Sequence, residues 1–192
     1  MSDIKTEAEP SYKKLKDILK HYESMVSMTV NGKEEIDKPI KLVISGHQGR
    51  PYNQILEEEP KMASIDGRLK ELGLGIPKSI MPYISENYKN YFSYSGEGTP
   101  TEKDIEMLID LSDRAHKEEK KLRFWASPDN ENVWNFLLDH NVDLINTDSL
   151  PKFNKYMSGT SVVEFGLINR VGKIQERDAE LNLDGSSSLC DD

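Results

Sequence analysis

The sequence has a single cysteine, no long apolar run and no excess of positive charge, and each absence excludes a class of protein. Cys190 is the only cysteine in 192 residues, so an intramolecular disulfide is excluded, and its polar surroundings favour an incidental residue over a catalytic one. No run of about 18 apolar residues occurs, so no transmembrane helix is predicted. The formal net charge of −9 argues against nucleic acid or an anionic membrane as a partner.

Several functional motifs are also missing. The amino terminus has no basic-then-apolar signal segment and the chain has no Asn-x-Ser/Thr sequon, so a cytoplasmic location is expected. The 4 histidines form neither an HxH nor an HExxH pattern, and no zinc site is predicted. The segment Gly96-Glu97-Gly98 is not followed by Gly-Lys-Ser/Thr, and it is therefore no phosphate-binding P-loop.

The most informative segment is residues 121–148, which predicts strand, helix and strand in close succession. Residues 122–126 are bulky and suit a buried strand, Ser127 or Asp129 is available as a helix N-cap, and residues 143–148 resume a strand. A βαβ unit this short implies parallel strands, with functional residues at their carboxyl ends. Those positions are Trp125, Ser127, Asn146 and Asp148.

The remainder of the chain extends the same alternation. Further strands are predicted at residues 2–6, 40–45, 62–65 and 80–84, helices at 10–28, 99–118 and 149–157, and a polar turn at 31–38. Thr99 and Glu102 predict a capping box at the start of the second of these helices. Residues 1–157 are therefore predicted to form one α/β domain. Residues 158–192 are predicted to be a largely disordered extension, with residues 162–168 as a candidate for an added strand.

Five short motifs occur in an order that resembles a known family: Asp3-Ile4-Lys5-Thr6, Ile44-Ser45-Gly46, Ile65-Asp66-Gly67-Arg68, Ile84-Ser85 and Arg123-Phe124-Trp125-Ala126. Together with the strand that ends in Thr147-Asp148, they resemble the phospholipase C-like phosphodiesterase superfamily. That superfamily includes glycerophosphodiester phosphodiesterases and phosphatidylinositol-specific phospholipases C. The most similar branch is that of altered inheritance of mitochondria protein six, and the resemblance covers residues 1–157.

The resemblance implies an incomplete TIM barrel with parallel strands and outer helices. The chain would supply about six of the eight βα units, strands three to eight, and would lack the first two. The implied activity is phosphoric diester hydrolysis of glycerophosphodiester or phosphoinositide-like lipids, with a divalent cation, Ca²⁺ or Mg²⁺, and two acid–base histidines. In the family, those histidines and two of the three metal carboxylates precede the position of Met1. The expectation is therefore an inactive chain with no catalytic residue, and the alternative is a module that binds a phosphoester or phospholipid headgroup.

The resemblance also assigns roles to individual residues. Asp3 would be a metal ligand, Lys5 a partner of phosphate or of a carboxylate, and Trp125 a wall of the substrate pocket. Arg68 would bind phosphate at the barrel mouth, because arginine suits phosphate. Each has a plainer alternative: an Asp3–Lys5 surface ion pair, an Asp66–Arg68 structural pair or a core tryptophan. His47 is expected in a loop at the barrel mouth and not as a catalytic histidine. The strand edges left open by the missing units are expected to promote self-association.

Overall fold

The computed structural model describes residues 1–36, 38–46 and 49–159. The strands in this part of the chain are β1 (Ser2–Ile4), β2 (Met28–Val30), β3 (Lys33–Ile36), β4 (Val43–Gly46), β5 (Ser64–Gly67), β6 (Tyr83–Asn87), β7 (Lys121–Trp125) and β8 (Leu144–Ile145). The helices are α1 (Ala8–Leu19), α2 (Tyr52–Glu57), α3 (Glu102–Lys117), α4 (Glu131–Asp139) and α5 (Leu150–Ser158). Short 3₁₀ helices lie at Lys20–Tyr22, Leu69–Glu71 and Tyr88–Asn90.

Six of the strands form one parallel sheet in the order β1-β4-β5-β6-β7-β8, curled as half a barrel. Except for the added hairpin of β2 and β3, the order in the sheet is the order in the sequence. The α/β class and the six parallel strands predicted from the sequence are therefore confirmed. Because all six strands run the same way, their carboxyl ends lie at one edge of the sheet.

The core lies between the sheet and the helices. Ile44, Ile65, Ile84 and Leu122, one from each of four adjacent strands, are completely buried. They belong to one cluster with residues of α3 and α4, which contribute Leu108, Leu111, Ala115, Val133 and Leu137. Each of the isoleucine, leucine and valine side chains contributes about 1.5–3 kcal/mol by leaving water. Successive residues of a strand point to opposite faces, so the neighbours of these residues point into the concave face of the sheet.

The region between the first two strands of the sheet differs from the prediction. Helix α1 ends at Leu19, not near residue 28, and the segment predicted as a polar turn is an antiparallel hairpin of β2 and β3. Asn31 and Gly32 form its turn with φ of 51° and 74°. Asn-Gly is the preferred pair for a two-residue hairpin turn, because both positions need a positive φ. Helix α2 was also not predicted.

Two predicted helix caps are wrong by one to three residues. Helix α3 is capped by Thr101, whose hydroxyl accepts a hydrogen bond from the Asp104 N–H at 3.1 Å, and not by Thr99. Helix α4 is capped by Asn130, whose side-chain oxygen accepts from the Val133 N–H at 3.0 Å, and not by Ser127 or Asp129. In both helices the true cap is the extended residue nearest to the first turn.

The Asp129 carboxylate instead connects the end of β8 to α5. It accepts hydrogen bonds from the Thr147 hydroxyl at 2.6 Å, the Asp148 N–H at 3.2 Å and the Ser149 N–H at 3.1 Å. These contacts fix the chain beyond β8 at the start of the last helix.

No helix of the described segments is both long enough and apolar enough to cross a membrane. The predictions for His47, for residues 162–168 and for the Ser/Asp-rich segment that contains Cys190 lie outside the described residues.

Candidate functional site

The concave face of the sheet carries a layer of polar residues where four adjacent strands approach their carboxyl ends. Ser45, Asp66, Ser85 and Arg123 come from β4, β5, β6 and β7. Ser85 and Arg123 are partners in the sheet register, and Ser45 and Asp66 directly follow the register pair Ile44 and Ile65. A filled barrel usually carries branched apolar residues at such interior positions. The polar side chains therefore depart from what the fold alone requires.

Asp66 is the centre of this layer. Its side chain is completely buried, and its two carboxylate oxygens accept hydrogen bonds from the Ser45 and Ser85 hydroxyls, both at 2.6 Å. Arg68 donates to the same carboxylate at 3.1 Å and also to the Asp66 and Gly67 carbonyl oxygens. A buried carboxylate is stable only with such partners. The two hydroxyls and the guanidinium therefore hold Asp66 in one position.

Arg123 brings a second guanidinium to the same place. It is half-buried and donates a hydrogen bond to the Asn146 side-chain oxygen, just beyond β8. Burial lowers the pKa of the Arg123 guanidinium below its usual value; the nearby Asp66 and Asp3 carboxylates oppose that shift, and the positive charge of Arg68 adds to it. Both guanidiniums therefore lie near the fully buried Asp66 carboxylate, Arg68 in direct contact with it and Arg123 within reach of its charge. An additional negative charge at this position would be attracted to both guanidiniums.

A third arginine fixes the loops around the layer. Arg50 forms a two-pronged ion pair with Glu71 at 2.8 and 2.9 Å and donates to the Asp66 carbonyl oxygen at 2.8 Å. Glu71 also accepts from the Arg68 N–H at 2.7 Å. Burial alone would raise the pKa of Glu71. The hydrogen bonds and positive charge of Arg50, together with the hydrogen bond from the Arg68 N–H, outweigh the effect of burial, so the pKa of Glu71 lies below its usual value. The guanidinium of Arg50 is therefore matched, whereas those of Arg68 and Arg123 share Asp66.

The residues predicted at this edge are only partly brought together. Lys5 forms an ion pair with Asp3 at 2.5 Å, and the two side chains are 73% and 46% exposed. This is the plainer of the two interpretations given for that pair. Asp66 and Arg68 form an ion pair in which Asp66 is completely buried and the Arg68 side chain is 20% exposed.

The last residues of β7 also lie at this edge. Trp125 is half-buried, and it is followed by Ala126 with φ of 55°, a backbone conformation that costs energy for any residue but glycine. The Ser127 hydroxyl is buried and has no hydrogen-bond partner among the described residues. Both alternatives for Trp125, pocket wall and core residue, are compatible with this placement.

Sequence reasoning had not grouped Ser45, Ser85 and Arg123 with Asp66. The two serines appear in the sequence only as parts of the short motifs Ile44-Ser45-Gly46 and Ile84-Ser85. The missed signal is the alternation in β7, where the buried residues Leu122 and Phe124 lie between polar or amphipathic ones. In a strand covered by helices on one face, polar alternate positions point into the other face.

The described residues do not fit a divalent cation. Among them, no group of three or more His, Cys, Asp or Glu side chains lies close enough together to hold a metal ion. The Asp3 carboxylate is paired with Lys5, and both oxygens of Asp66 accept serine hydrogen bonds. Of the histidines in the described segments, His116 hydrogen-bonds Asp143 at 2.8 Å and His140 hydrogen-bonds the Phe136 carbonyl oxygen at 2.7 Å. Neither pairing involves the polar layer.

Comparison of the chain with protein-family models, with curated proteins and with solved structures gives no match.

Proposed function

We propose that the carboxyl end of the sheet binds a phosphoester group through the guanidiniums of Arg68 and Arg123. The observation that carries the proposal is that Arg68 contacts the fully buried Asp66 carboxylate, and that Arg123 is the register partner of Ser85, which hydrogen-bonds the same carboxylate. Arginine suits this task because its planar guanidinium donates two parallel hydrogen bonds to phosphate oxygens. A bound phosphoester would bring further negative charge to these two guanidiniums.

The five sequence motifs and the curled parallel sheet support a more specific proposal. In it, the chain is a member of the phospholipase C-like phosphodiesterase superfamily, and its sheet represents six of the eight strands of a TIM barrel. The bound group would then be the phosphodiester of a glycerophosphodiester or a phosphoinositide-like headgroup. Trp125 would contact the polyol, and Lys5 would meet the phosphate at the rim.

Binding without hydrolysis is the function that the site supports best. Hydrolysis in this superfamily needs a general acid, a general base and a divalent cation, groups that act together. When one member of such a cooperating set is removed, most of the rate acceleration is lost. Among the described residues, the polar layer contains serines, arginines and one buried aspartate, and no histidine or cluster of metal ligands.

The test is calorimetric titration of the full chain with glycerophosphocholine and with glycerol 3-phosphate. We expect saturable binding that Arg123→Gln weakens about tenfold or more, and that Arg123→Lys restores only in part because lysine lacks the two-pronged geometry. Arg114→Gln is the matched control, because Arg114 is an exposed arginine of α3 that pairs with Asp110. Equal affinities for wild type and Arg123→Gln would refute the site.

A second assay separates binding from catalysis. The purified chain is incubated with a nitrophenyl phosphodiester and with glycerophosphocholine in the presence of Ca²⁺ or Mg²⁺. We expect no turnover above the buffer rate. Turnover that disappears in Asp3→Ala would instead identify the chain as an active phosphodiesterase, with Asp3 as its metal ligand.

A further inference from the structure

A cavity lies at the amino-terminal end of the sheet, where the sequence predicts no site. Its volume is about 790 Å³, within the range of pockets that hold small molecules. Its walls include the amino ends of β4 to β7, the hairpin residue Thr29 and the loop that contains Ser79. The Thr29 hydroxyl donates to the Ser79 carbonyl oxygen at 3.4 Å, and the Ser79 hydroxyl donates to the Gly32 carbonyl oxygen at 2.6 Å. The hairpin and the loop therefore form one wall.

The cavity arises from small and polar residues at interior positions. Val43, Ser64, Tyr83 and Lys121 each lie two residues before a member of the polar layer in the same strand. They therefore point into the concave face about 6.6 Å nearer to the amino end. A barrel interior is normally filled at such positions by branched apolar residues. A serine and an exposed lysine leave part of this layer open.

The charge of the cavity is positive although the whole chain is acidic. Its described lining includes Lys41, Lys61, Lys78 and Lys121, and two carboxylates, Glu118 and Glu119.

Both carboxylates are already matched. Glu119 pairs with Lys78 at 2.6 Å. Glu118 accepts from the Lys120 ammonium at 2.6 Å and from the Gly73 N–H at 2.6 Å. The hydrogen bond from Lys120 is the main reason why the pKa of Glu118 is lowered.

Two lysines of the lining differ in their surroundings. The Lys61 side chain is only 9% exposed, and its ammonium donates to the Glu58 carbonyl oxygen at 2.6 Å and to the Glu59 carboxylate at 3.3 Å. The Lys121 ammonium is exposed to the cavity and has no ion-pair partner among the residues that the structure describes. An ammonium in a concave, partly desolvated position attracts anions more strongly than one on a flat surface.

We infer that this cavity is a binding site for a small molecule that carries at least two negative charges. Phosphate esters and polycarboxylates share the required chemistry: several anionic oxygens that accept from lysine ammoniums, with the Tyr83 hydroxyl as a neutral donor. The site is separate from the arginine site proposed above, because it lies at the other end of the strands and uses lysine in place of arginine.

The experiment titrates the full chain with pyrophosphate and, separately, with citrate, while backbone amide resonances are followed by NMR. At least one probe is expected to bind saturably and to shift the amides of Lys78, Ser79 and Lys121. Lys121→Met is expected to raise the Kd about tenfold, and Lys121→Arg to retain binding. Lys103→Met is the matched control, since Lys103 is an exposed lysine of α3 away from the cavity.

The two sites are distinguished by their variants. Arg123→Gln is expected to abolish shifts at the amides of Arg68 and Trp125 and to leave those at Lys78 and Ser79 unchanged. A lower Kd for citrate would assign the cavity to polycarboxylates, and a lower Kd for pyrophosphate would assign it to phosphate esters. The inference is overturned if neither probe shifts the amides around Lys78, or if Lys121→Met binds as tightly as Lys103→Met.

Discussion

Replacing Asp66 by alanine is expected to lower the free energy of unfolding by about 3–5 kcal/mol, the cost of breaking a buried charge pair from one side. The Ser45 and Ser85 hydroxyls would each lose a buried acceptor at 2.6 Å, which costs about 1–3 kcal/mol per group. The guanidiniums of Arg68 and Arg123 would also be left without their shared anion. Because a domain of this kind is stable by only about 5–15 kcal/mol, the loss is a large share of the total.

Urea unfolding, followed by tryptophan fluorescence, measures this loss. Asp66→Asn keeps the shape of the side chain and one acceptor oxygen, so we expect it to lose about half as much stability as the alanine variant. Ser85→Ala removes one hydrogen bond to a charged acceptor and should cost about 1.5–3 kcal/mol. In the Asp66→Asn background, Ser85→Ala should cost at least about 0.5 kcal/mol less, because the two residues interact directly.

Two results would refute this reasoning. The first is an Asp66→Ala variant within about 1 kcal/mol of wild type, which would mean that the carboxylate is not buried among these donors. The second is strict additivity of the Asp66→Asn and Ser85→Ala effects, which would mean that the two side chains are not in contact. If Asp66→Ala does not fold, the pair Asp66→Asn and Ser85→Ala still decides the question.

Three further predictions follow from other contacts. The pKa of Glu71 is lowered in the folded chain, so its contribution to stability is present above about pH 4.5 and is lost as the pH falls through the lower folded pKa. Glu71→Gln should therefore show a smaller loss of stability than wild type between pH 5 and pH 3 in urea unfolding, and parallel pH profiles would contradict the ion pair with Arg50. Thr101→Ala should lower the free energy of unfolding by about 1 kcal/mol because α3 loses its N-cap, whereas Thr99→Ala should lower it by less than about 0.5 kcal/mol. The reverse order in thermal unfolding would show that Thr99 is the N-cap, as the sequence predicts. The purified chain should self-associate as its concentration rises, because β1 and β8 leave two edges of the parallel sheet without a strand partner among the described residues. Light scattering measures this association. A monomer at every concentration, with one cooperative unfolding transition at high temperature, would show that these edges are covered.

The sheet was predictable because its signals are local and repeated. Each strand of the sheet is short, contains at least one β-branched or aromatic residue and is followed by a turn or a helix. This alternation favours parallel pairing in chain order. The hairpin of β2 and β3 was missed although Asn31-Gly32 is a strong turn signal. The apolar spacing of Tyr22 and Met25 continues the helical pattern of α1 beyond its true end at Leu19, and it obscures the start of the hairpin.

The N-cap of α3 could not be predicted from the local sequence. Thr99-Pro100-Thr101-Glu102 contains two threonines that both suit an N-cap, and the choice depends on what Asp104 contacts. In the fold, the Asp104 carboxylate accepts from the Ser93 N–H at 3.2 Å and from the Ser93 hydroxyl at 2.9 Å. This contact, between residues eleven positions apart in the chain, positions the first turn of α3 after Thr101. Local sequence does not contain that information.

The polar layer needed the register of the whole sheet. Ser45, Asp66, Ser85 and Arg123 are spread over 79 positions of the sequence, and nothing in any one strand says that their side chains meet. Once β4 to β7 are aligned, the completely buried Ile44, Ile65, Ile84 and Leu122 fix one face, and the four polar residues must share the other.

Both proposed sites use side chains on the concave face of the sheet. The composition of this face indicates that its polar residues do not serve stability. Isoleucine and leucine fill the convex face, whereas serine, aspartate, arginine and lysine occupy positions that branched apolar residues fill in a closed barrel. Replacing buried ionic groups by well-packed apolar residues is often neutral or stabilising, so a chain selected only for stability has no reason to keep them. Departures from the rules of a fold tend to mark functional positions. Because Lys121 and Arg123 are two residues apart on β7 and point into the same face, this single strand carries the decisive residue of both sites.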